Sequence, residues 1–507
     1  MKSKMFKLLK LEITNHAYFG DISLNFVNEE EEHFGPYTTL VIGPNGTGKS
    51  QILASIIEIL NYLSAFKVRD KLYHKFEYSY DILYQFDEDK IRVYNTEGKT
   101  KAQKNKEPIE VKDVPIPSKI LASAINLTDR YPNLTRSSKF YNSNYQYLGV
   151  RSASNNAFIN NHVKSIVDSL SEAISKQLKL HNLKFLFEEL GLAPILTIQY
   201  KAGDRFQQYL FEDENLFTKT IKDKIVEHFN RHISKQKDKP KKDYRTEKYE
   251  KTLKDDNRLL SASEFLKINA ENFKGKFKNK TSYTSNLDFS SSESINHFIQ
   301  DVIALKTLVD LEILVYDKIG LQKTQNRFSF IQASSGEYHL LTSFIGIFSK
   351  IEDNSIILID EPEISLHPNW QMKYMHNLNR IFETFKSCHF IIASHSHFLV
   401  SDLKEKQSSI LKLFFNTQKN KIDARRLDWN TYAWSAEQVL IEVFKVPSSR
   451  NIYLTELINE TLHLMAKERL TPLQEQQVNE NKNQLAEFEL DLKEADPLKT
   501  IIQKILE

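Results

Sequence analysis

One short segment of the chain combines residue types in a spacing that binds phosphate. Residues 43–50, GPNGTGKS, match the pattern G-x-x-x-x-G-K-[ST], after an apolar run at 37–42 and before a helical pattern that starts at Gln51. Glycines let backbone N–H groups converge on phosphate oxygens. We expect Lys49 to reach the β- and γ-phosphates of a nucleotide and the Ser50 hydroxyl to ligate Mg²⁺.

A second motif places two acids at the end of an apolar run, IILIDE at residues 356–361. An uninterrupted apolar run is typical of a central parallel strand covered on both faces. Asp360 is then placed to hold Mg²⁺ through water. Glu361 points elsewhere and is a candidate base that polarises the attacking water.

A third motif, ASSGE at residues 333–337, precedes a helical run from Tyr338 to Phe348. Small residues at a helix N-terminus leave N–H groups free to bind an anion such as a phosphate. Ser334 and Glu337 also fit the ordinary capping box S-x-x-E. The two interpretations are compatible, and the sequence leaves both open.

The elements that position these motifs alternate between strands and helices. Strands are predicted at 5–26 (two, with a turn at 16–21), 37–42, 119–125, 327–331, 355–359, 389–393, 410–415 and 423–427, with a hairpin at 76–95. Residues 96–115 are polar and lysine-rich, which predicts an exposed loop. Helical periodicity covers 162–190, 215–235 and 294–319, and the pattern is helical again beyond 435. The layout is an α/β core interrupted by a helical insertion.

With these motifs in this order, the sequence resembles ABC-type ATPases of the branch that contains structural-maintenance-of-chromosomes (SMC) proteins, DNA-repair ATPases and overcoming-lysogenisation nucleases. In that family a signature motif precedes the acid-tipped strand by about 20–30 residues, as ASSGE does here. Ala333 replaces the Leu of the family's L-S-G-G signature, and Ser335 replaces its first Gly. This swap should still permit contact with a phosphate.

The resemblance implies a mixed-sheet P-loop ATPase core with a large helical insertion and a helical tail. The implied segments are an ATPase lobe at 1–135, a mainly helical insertion at 136–319, a lobe with signature, Walker B acids and switch histidine at 320–435, and a helical region at 436–507.

The resemblance also implies the cofactors ATP and Mg²⁺ and a set of site residues. His395, in A-S-H-S after the strand at 389–393, resembles the family's switch histidine, which contacts the γ-phosphate and Glu361. Residues 363–368 match the D-loop, which faces a partner subunit, while His397 is interpreted as structural. The catalytic candidates are Lys49, Glu361 and His395, and the metal ligands are Ser50 and Asp360. The nucleotide-binding candidates are Gly43, Pro44, Asn45, Gly46, Thr47, Gly48, Lys49, Ser50, Gln51, Ser334, Ser335, Gly336 and Glu337.

The family's Q-loop glutamine has no clear counterpart. Gln85 lies in a predicted hairpin. Asn126 and Asp129, after the strand at 119–125, are better placed to sense Mg²⁺ or the γ-phosphate.

Nothing in residues 162–300 shows a long heptad array, and residues 436–507 are too few, and too helical, for a Toprim nuclease. What remains is similar to the stand-alone ATPases of bacterial anti-phage defence operons, such as the Septu ATPase that works with a separate HNH nuclease. Since each motif occurs once, a shared site requires a head-to-tail dimer or higher oligomer. A DNA-repair scaffold and a transporter's ATP-binding subunit are the alternatives.

The composition indicates the cellular compartment of the protein and excludes some classes of binding site. Its 507 residues carry 69 basic and 66 acidic side chains, a net charge of +3. The single cysteine, Cys388, excludes a disulfide framework and a cysteine-based zinc site. With no signal-peptide pattern and no apolar run long enough to span a membrane, we expect a cytoplasmic protein with no membrane partner.

One local charge surplus stands out in this balanced chain. Residues 235–254 contain nine Lys or Arg and four Asp or Glu, so their net charge is 9 − 4 = +5. The stretch is either a solvated surface or a contact for DNA or RNA.

Overall fold

A computed structural model gives the structure of the chain. The statements below concern the residues that it describes, which are 5–27, 35–68, 74, 76–96, 98–126, 129–132, 142–149, 166–173, 180–203, 221–234, 244–269, 282–323, 326–329, 332–404, 406–427, 431, 434–444, 452–467, 470–491 and 497–506.

The chain divides into two compact units, Met1–Tyr432 and Ala433–Glu507. The strands, all in the first unit, are β1 (Phe6–His16), β2 (Gly20–Asn25), β3 (Tyr37–Ile42), β4 (Ser79–Phe86), β5 (Asp89–Thr96), β6 (Lys99–Lys104), β7 (Glu107–Ile109), β8 (Ile120–Ala124), β9 (Tyr145–Tyr147), β10 (Ile195–Ala202), β11 (Ser282–Asp288), β12 (Leu314–Lys323), β13 (Asn326–Ser329), β14 (Ile356–Asp360), β15 (His389–Ser394), β16 (Ser408–Asn416) and β17 (Lys421–Leu427).

The helices of the first unit are α1 (Lys49–Val68), α2 (Lys184–Glu189), α3 (Ile221–Ser234), α4 (Tyr244–Leu253), α5 (Asp256–Ile268), α6 (Ser292–Asp310), α7 (Ser335–Lys350), α8 (Pro368–Ile381) and α9 (His397–Ser401). Residues 166–173 are also helical. None of the helices in the described part of the chain combines the length and apolar character that crossing a bilayer requires.

A seven-stranded sheet carries the motifs, in the order β17-β16-β3-β15-β14-β8-β9. Its neighbours pair in parallel except β16 and β17, which are antiparallel. The prediction that residues 356–360 form a central, covered strand is confirmed, because β14 is fully buried between two parallel neighbours. Parallel neighbours end at the same edge of a sheet, so the ends of β3, β15 and β14 are brought together.

A second sheet is antiparallel, in the order β2-β1-β4-β5-β6-β7. One hydrophobic cluster joins its inner face, α1 and residues of the seven-stranded sheet. Ile52, Ile56 and Leu60 are fully buried, and so are Leu53, Ile57 and Ile59 on other faces of α1. A helix that is apolar on several faces is stable only when it is buried on those faces. The sequence of α1 therefore matches its position in this core.

The prediction of an exposed loop over residues 96–115 is wrong, because β6 and β7 extend the antiparallel sheet there. These strands lie at the sheet's margin, where only Ala102 is buried and the lysines face solvent. Lysines are common on such edge strands, where they discourage pairing with other chains. A polar strand of this kind has the composition of a loop.

The insertion is less uniformly helical than predicted. A third sheet, β11-β10-β12-β13, is antiparallel throughout and brings residues 195–202, 282–288 and 314–323 together. The helix predicted over 294–319 ends at Asp310, and β12 begins at Leu314. The segment boundaries at 135, 319 and 435 stay predictions.

The second unit is helical in its described part. It contains the short helical segments Ala436–Gln438 and Val439–Val443, followed by α10 (Ile452–Met465), α11 (Pro472–Asp491) and α12 (Pro497–Leu506). These three helices share a small hydrophobic core, formed by Leu454, Leu457, Ile458, Leu485, Ile502 and Ile505.

Candidate functional site

The predicted phosphate loop connects β3 to α1, and its shape depends on glycine. Gly46 and Gly48 adopt φ angles of +79° and +82°, which lie in the left-handed region that side chains disfavour. A Cβ atom on Gly48 would lie 2.7 Å from the Phe19 ring, and one on Gly43 would lie 2.6 Å from the Leu413 carbonyl oxygen. The loop is therefore packed tightly on both sides, and larger residues at these two positions would displace it.

Lys49 is the first residue of α1, and its side chain is buried. The Nζ atom donates hydrogen bonds to the carbonyl oxygens of Gly43 at 2.9 Å and Pro44 at 3.3 Å. Burial lowers the pKa of this amine to about 8. A cation at the positive end of a helix is electrostatically unfavourable, so an anion bound at this point would be stabilised by the helix and by Lys49.

The two predicted metal ligands, Ser50 and Asp360, are in contact. The Ser50 hydroxyl donates to Asp360 Oδ1 at 3.0 Å. The pKa of Asp360 is raised to about 7, chiefly by burial and also by the nearby charge of Glu361, while the hydrogen bond from Ser50 acts to lower it. A hydroxyl beside a buried, poorly compensated carboxylate fits a small hard cation such as Mg²⁺.

The described residues hold no cluster of three or more His, Cys, Asp or Glu side chains that could form a metal cage. A magnesium ion at this edge would therefore take its remaining ligands from water and from a nucleotide, as is usual for this cation. Ser50 and Asp360 fit that arrangement.

Glu361 and His395 form an ion pair when the histidine is protonated, with His395 Nε2 3.3 Å from Glu361 Oε1. The hydrogen bond from His395 is the main cause that lowers the pKa of Glu361. The other ring nitrogen, Nδ1, lies 3.4 Å from Lys49 Nζ. His395 thus lies between the phosphate loop and the acidic strand end, and Glu361 is available as a carboxylate base.

The backbone of Glu361 is strained. Its φ is +48°, in the left-handed region, and its N–H donates to the Ala393 carbonyl at 2.9 Å. Such a conformation costs about 1–2 kcal/mol for a residue with a side chain. Strained residues of this kind are common at functional sites, and Glu361 is one of the predicted site residues.

Glu363, the first residue of the predicted D-loop, contacts the switch-histidine segment of its own chain. Its Oε1 atom accepts a 2.6 Å hydrogen bond from the His395 N–H. Burial raises the pKa of its carboxyl group. In the sequence, Glu363 is only a further acidic residue after Asp360 and Glu361. Its contact with His395 joins residues 32 positions apart, so no local pattern predicts it. That residues 363–368 face a partner subunit stays a prediction.

The predicted signature begins α7 with a complete capping box. The Ser334 hydroxyl accepts from the Glu337 N–H, and the Glu337 carboxylate accepts from the Ser334 N–H. Glu337 also lies 3.7 Å from Lys323 Nζ. In the described part of the chain, neither residue hydrogen-bonds to residues 43–51. A Cβ atom on Gly336 would lie 2.6 Å from the Ser365 carbonyl oxygen, so α7 starts against the 363–368 segment.

Asp129, a candidate sensor of Mg²⁺ or the γ-phosphate, is held by hydrogen bonds within the fold. Its side chain is buried and accepts hydrogen bonds from the Tyr131 N–H and the Tyr147 hydroxyl, so both carboxylate oxygens are engaged within the fold. Asn126 accepts from the Asp129 N–H through its backbone and is exposed. Gln85 lies in β4 of the antiparallel sheet, where its amide donates to the Asp87 carbonyl.

Two further residues extend the surroundings of the loop. Arg130, in the segment after β8, donates a hydrogen bond to the Gln51 side chain at 3.2 Å. Gln51, a nucleotide-binding candidate, therefore contacts that segment. Tyr18, which the sequence analysis missed, donates its hydroxyl to the Gly46 carbonyl at 2.6 Å and leaves 44% of its surface exposed. An exposed aromatic ring beside a phosphate loop offers a surface on which a base can stack.

Two further predictions concern His397 and the basic stretch, and both stay predictions. His397 begins α9 with its ring 4.0 Å from that of Phe398. Residues 235–243 of the basic stretch lie outside the described residues, while α4 follows and its Lys248 pairs with Asp310 at 2.9 Å.

The adjacent parallel strands β3, β15 and β14 end at the same edge of the sheet. The residues at or just after these ends are suited to bind phosphate, magnesium or water. This arrangement is typical of P-loop ATPases. The sequence matches the family described as AAA ATPase domain over residues 6–400. The chain belongs to that family.

Individual proteins agree with this assignment. The retron Vc95 probable ATPase of Vibrio cholerae serotype O1 biovar El Tor is 22% identical over 438 residues, which cover 80% of this chain and 74% of the relative. The part of the predicted resemblance that concerns the ATPase family is confirmed by the family match.

Solved structures of SMC heads are also similar. The head with an extended coiled coil from Pyrococcus furiosus, bound to the C-terminal domain of ScpA, is 15% identical with a TM-score of 0.34, over 88% of this chain and 100% of that chain. The Thermotoga maritima SMC head is 13% identical with a TM-score of 0.32, over 83% and 100%. The family assignment rests on the AAA ATPase match and not on these two structures.

Proposed function

We propose that this protein binds and hydrolyses ATP with Mg²⁺ and works as a nucleotide-driven switch. The observation that carries the proposal is the contact between Ser50 and Asp360, 3.0 Å apart beside the buried amine of Lys49. A hydroxyl, a carboxylate and an ammonium group at one edge of the sheet match what magnesium-bound polyphosphate needs.

Each side chain has a part in the proposed reaction. Lys49 binds the β- and γ-phosphates, exchanging its contacts with the loop carbonyls for phosphate oxygens. Ser50 and Asp360 hold Mg²⁺, whose chemistry is to neutralise charge on the phosphates. Glu361, kept ionised by His395, orients water and accepts its proton. The exposed ring of Tyr18, whose hydroxyl donates to the Gly46 carbonyl, is proposed as the surface that contacts the base.

We further propose that two chains share their sites head to tail. The capping box leaves the remaining N–H groups at the start of α7 available to an anion. Ser334 and Glu337 are bonded to each other in this capping box, and the family resemblance supports a contact between this helix start and the nucleotide of a second chain. Ser335 and Gly336 complete this surface.

The switch is proposed to control a separately encoded effector, such as a nuclease, in anti-phage defence. Two observations support this: the resemblance to stand-alone defence ATPases, and the relative described as a retron probable ATPase. DNA or RNA is a further candidate partner.

The proposal is tested by measuring phosphate release from ATP with Mg²⁺ and with EDTA. We expect magnesium-dependent turnover that is lost in Lys49→Met. Lys67→Met, in the last turn of the same helix, is the matched control and should retain turnover. Hydrolysis by Lys49→Met at the wild-type rate, or no nucleotide binding by the wild type, contradicts the proposal.

A further inference from the structure

A buried carboxylate that the proposed reaction does not use, that of Glu363, contacts the backbone of the candidate residue His395. Glu363 Oε1 accepts a hydrogen bond from the His395 N–H at 2.6 Å. The same histidine presents Nε2 to Glu361 at 3.3 Å and Nδ1 to Lys49 at 3.4 Å. The ring's placement between these two groups therefore depends on where the backbone of residue 395 lies.

The backbone at this point lies in the turn between β15 and α9, where the Ser396 N–H also donates to the Ser394 hydroxyl at 2.9 Å. His395 follows the last residue of β15 and precedes α9, so it belongs to neither element. The next residue, Ser396, donates its hydroxyl to Gln371 Oε1 at 2.7 Å, and the Gln371 amide donates to the Leu366 carbonyl at 3.0 Å. Both tethers, at 395 and at 396, come from the chain that follows β14.

We infer that Glu363 is a positioning residue for ATP hydrolysis: its buried carboxylate holds the backbone of His395, and thereby keeps the imidazole between Glu361 and Lys49. Glu363 acts through His395 and not on the nucleotide. This inference rests on the proposed ATPase function.

The inference distinguishes substitutions by whether they keep the hydrogen-bond acceptor. Glu363→Gln retains an oxygen that can accept the His395 N–H, whereas Glu363→Leu fills a similar volume without an acceptor. We expect Glu363→Gln to keep kcat within about 3-fold of the wild type. We expect Glu363→Leu to lower kcat at least about 10-fold, as His395→Ala does, while KM for ATP changes little.

The decisive readout is a double-mutant cycle, because residues that act as one unit have non-additive effects. Glu363→Leu combined with His395→Ala should lose no more kcat than His395→Ala alone. Asp310→Asn is the control: Asp310 is a carboxylate paired with Lys248 and Arg258 outside the site, so its effect should multiply with that of His395→Ala.

Several results would overturn the inference. They are full kcat in Glu363→Leu, full kcat in His395→Ala, or losses that multiply in the double variant. If Glu363→Leu does not fold, Glu363→Asp carries the same cycle, since it withdraws the oxygen by one methylene group. Absence of wild-type hydrolysis would contradict the proposed function instead, so the two failures are distinguishable.

Discussion

A substitution at Gly48 tests whether the phosphate loop has the packing described here. Gly46 and Gly48 share nearly the same backbone angle, +79° and +82°, but differ in their surroundings. A Cβ atom at Gly46 meets nothing within 4 Å, whereas one at Gly48 lies 2.7 Å from Phe19 and 2.9 Å from Tyr18. Gly46→Ala is therefore a matched control for Gly48→Ala.

The expected magnitudes follow from two separate effects. Both substitutions place a side chain in the left-handed region, which destabilises the fold by about 1 kcal/mol. Gly48→Ala adds overpacking against Phe19, which is buried and stacked on His16 at 4.2 Å and so has little room to move. Overpacking of this kind costs about 1–3 kcal/mol. We expect a total loss of about 2–4 kcal/mol for Gly48→Ala and about 1 kcal/mol for Gly46→Ala.

Thermal unfolding of the two variants and the wild type is the assay. Gly48→Ala should lower Tm several degrees more than Gly46→Ala. Adding Phe19→Leu should recover part of the difference, because a smaller side chain leaves room for the methyl group. Equal Tm values for the two alanine variants would refute this packing argument.

Three further predictions concern the subunit contact, the strained base and the basic stretch. Ser335→Arg and Lys49→Ala should each abolish ATPase activity. Mixing the two variants should restore part of the activity, because one of the two shared sites in each mixed dimer carries neither change. No recovery, despite demonstrated mixing, excludes shared sites. Glu361→Gly should be more stable than Glu361→Ala by about 1 kcal/mol in denaturant unfolding, because only glycine relieves the +48° φ angle; equal stability argues against strain. If residues 235–254 contact nucleic acid, replacing Lys237, Lys239, Lys241 and Lys242 with Glu should abolish salt-sensitive nucleic-acid binding in a filter assay. Unchanged affinity excludes this stretch as the contact.

The sequence predicts those parts of the fold and site that depend on local pattern. The apolar run at 356–360 and the glycine spacing at 43–48 specify a buried strand and a phosphate loop, whatever the distant parts of the chain do. The order of the motifs then suffices to place Asp360, Glu361 and His395 at strand ends. Parallel pairing brings those ends to one edge of the sheet.

The rest depends on contacts between distant residues, which no local pattern reports. β6 is polar because one face meets solvent at a sheet margin, so it has a loop's composition. The end of the helix at Asp310 and the start of β12 reflect pairing with β10, more than 100 positions earlier. Glu363 and Asp129 look like free acids in the sequence, and their partners come from β15 and β9 or the turns beside them.

Single-turnover hydrolysis by Glu361→Gln determines whether Glu361 is the base of a magnesium-dependent ATPase. The amide keeps the shape of the side chain but cannot accept a proton. We predict that the variant binds radiolabelled ATP with wild-type affinity and retains it intact, with hydrolysis slowed at least about 100-fold. Conversion of bound ATP to ADP at the wild-type rate would contradict the account.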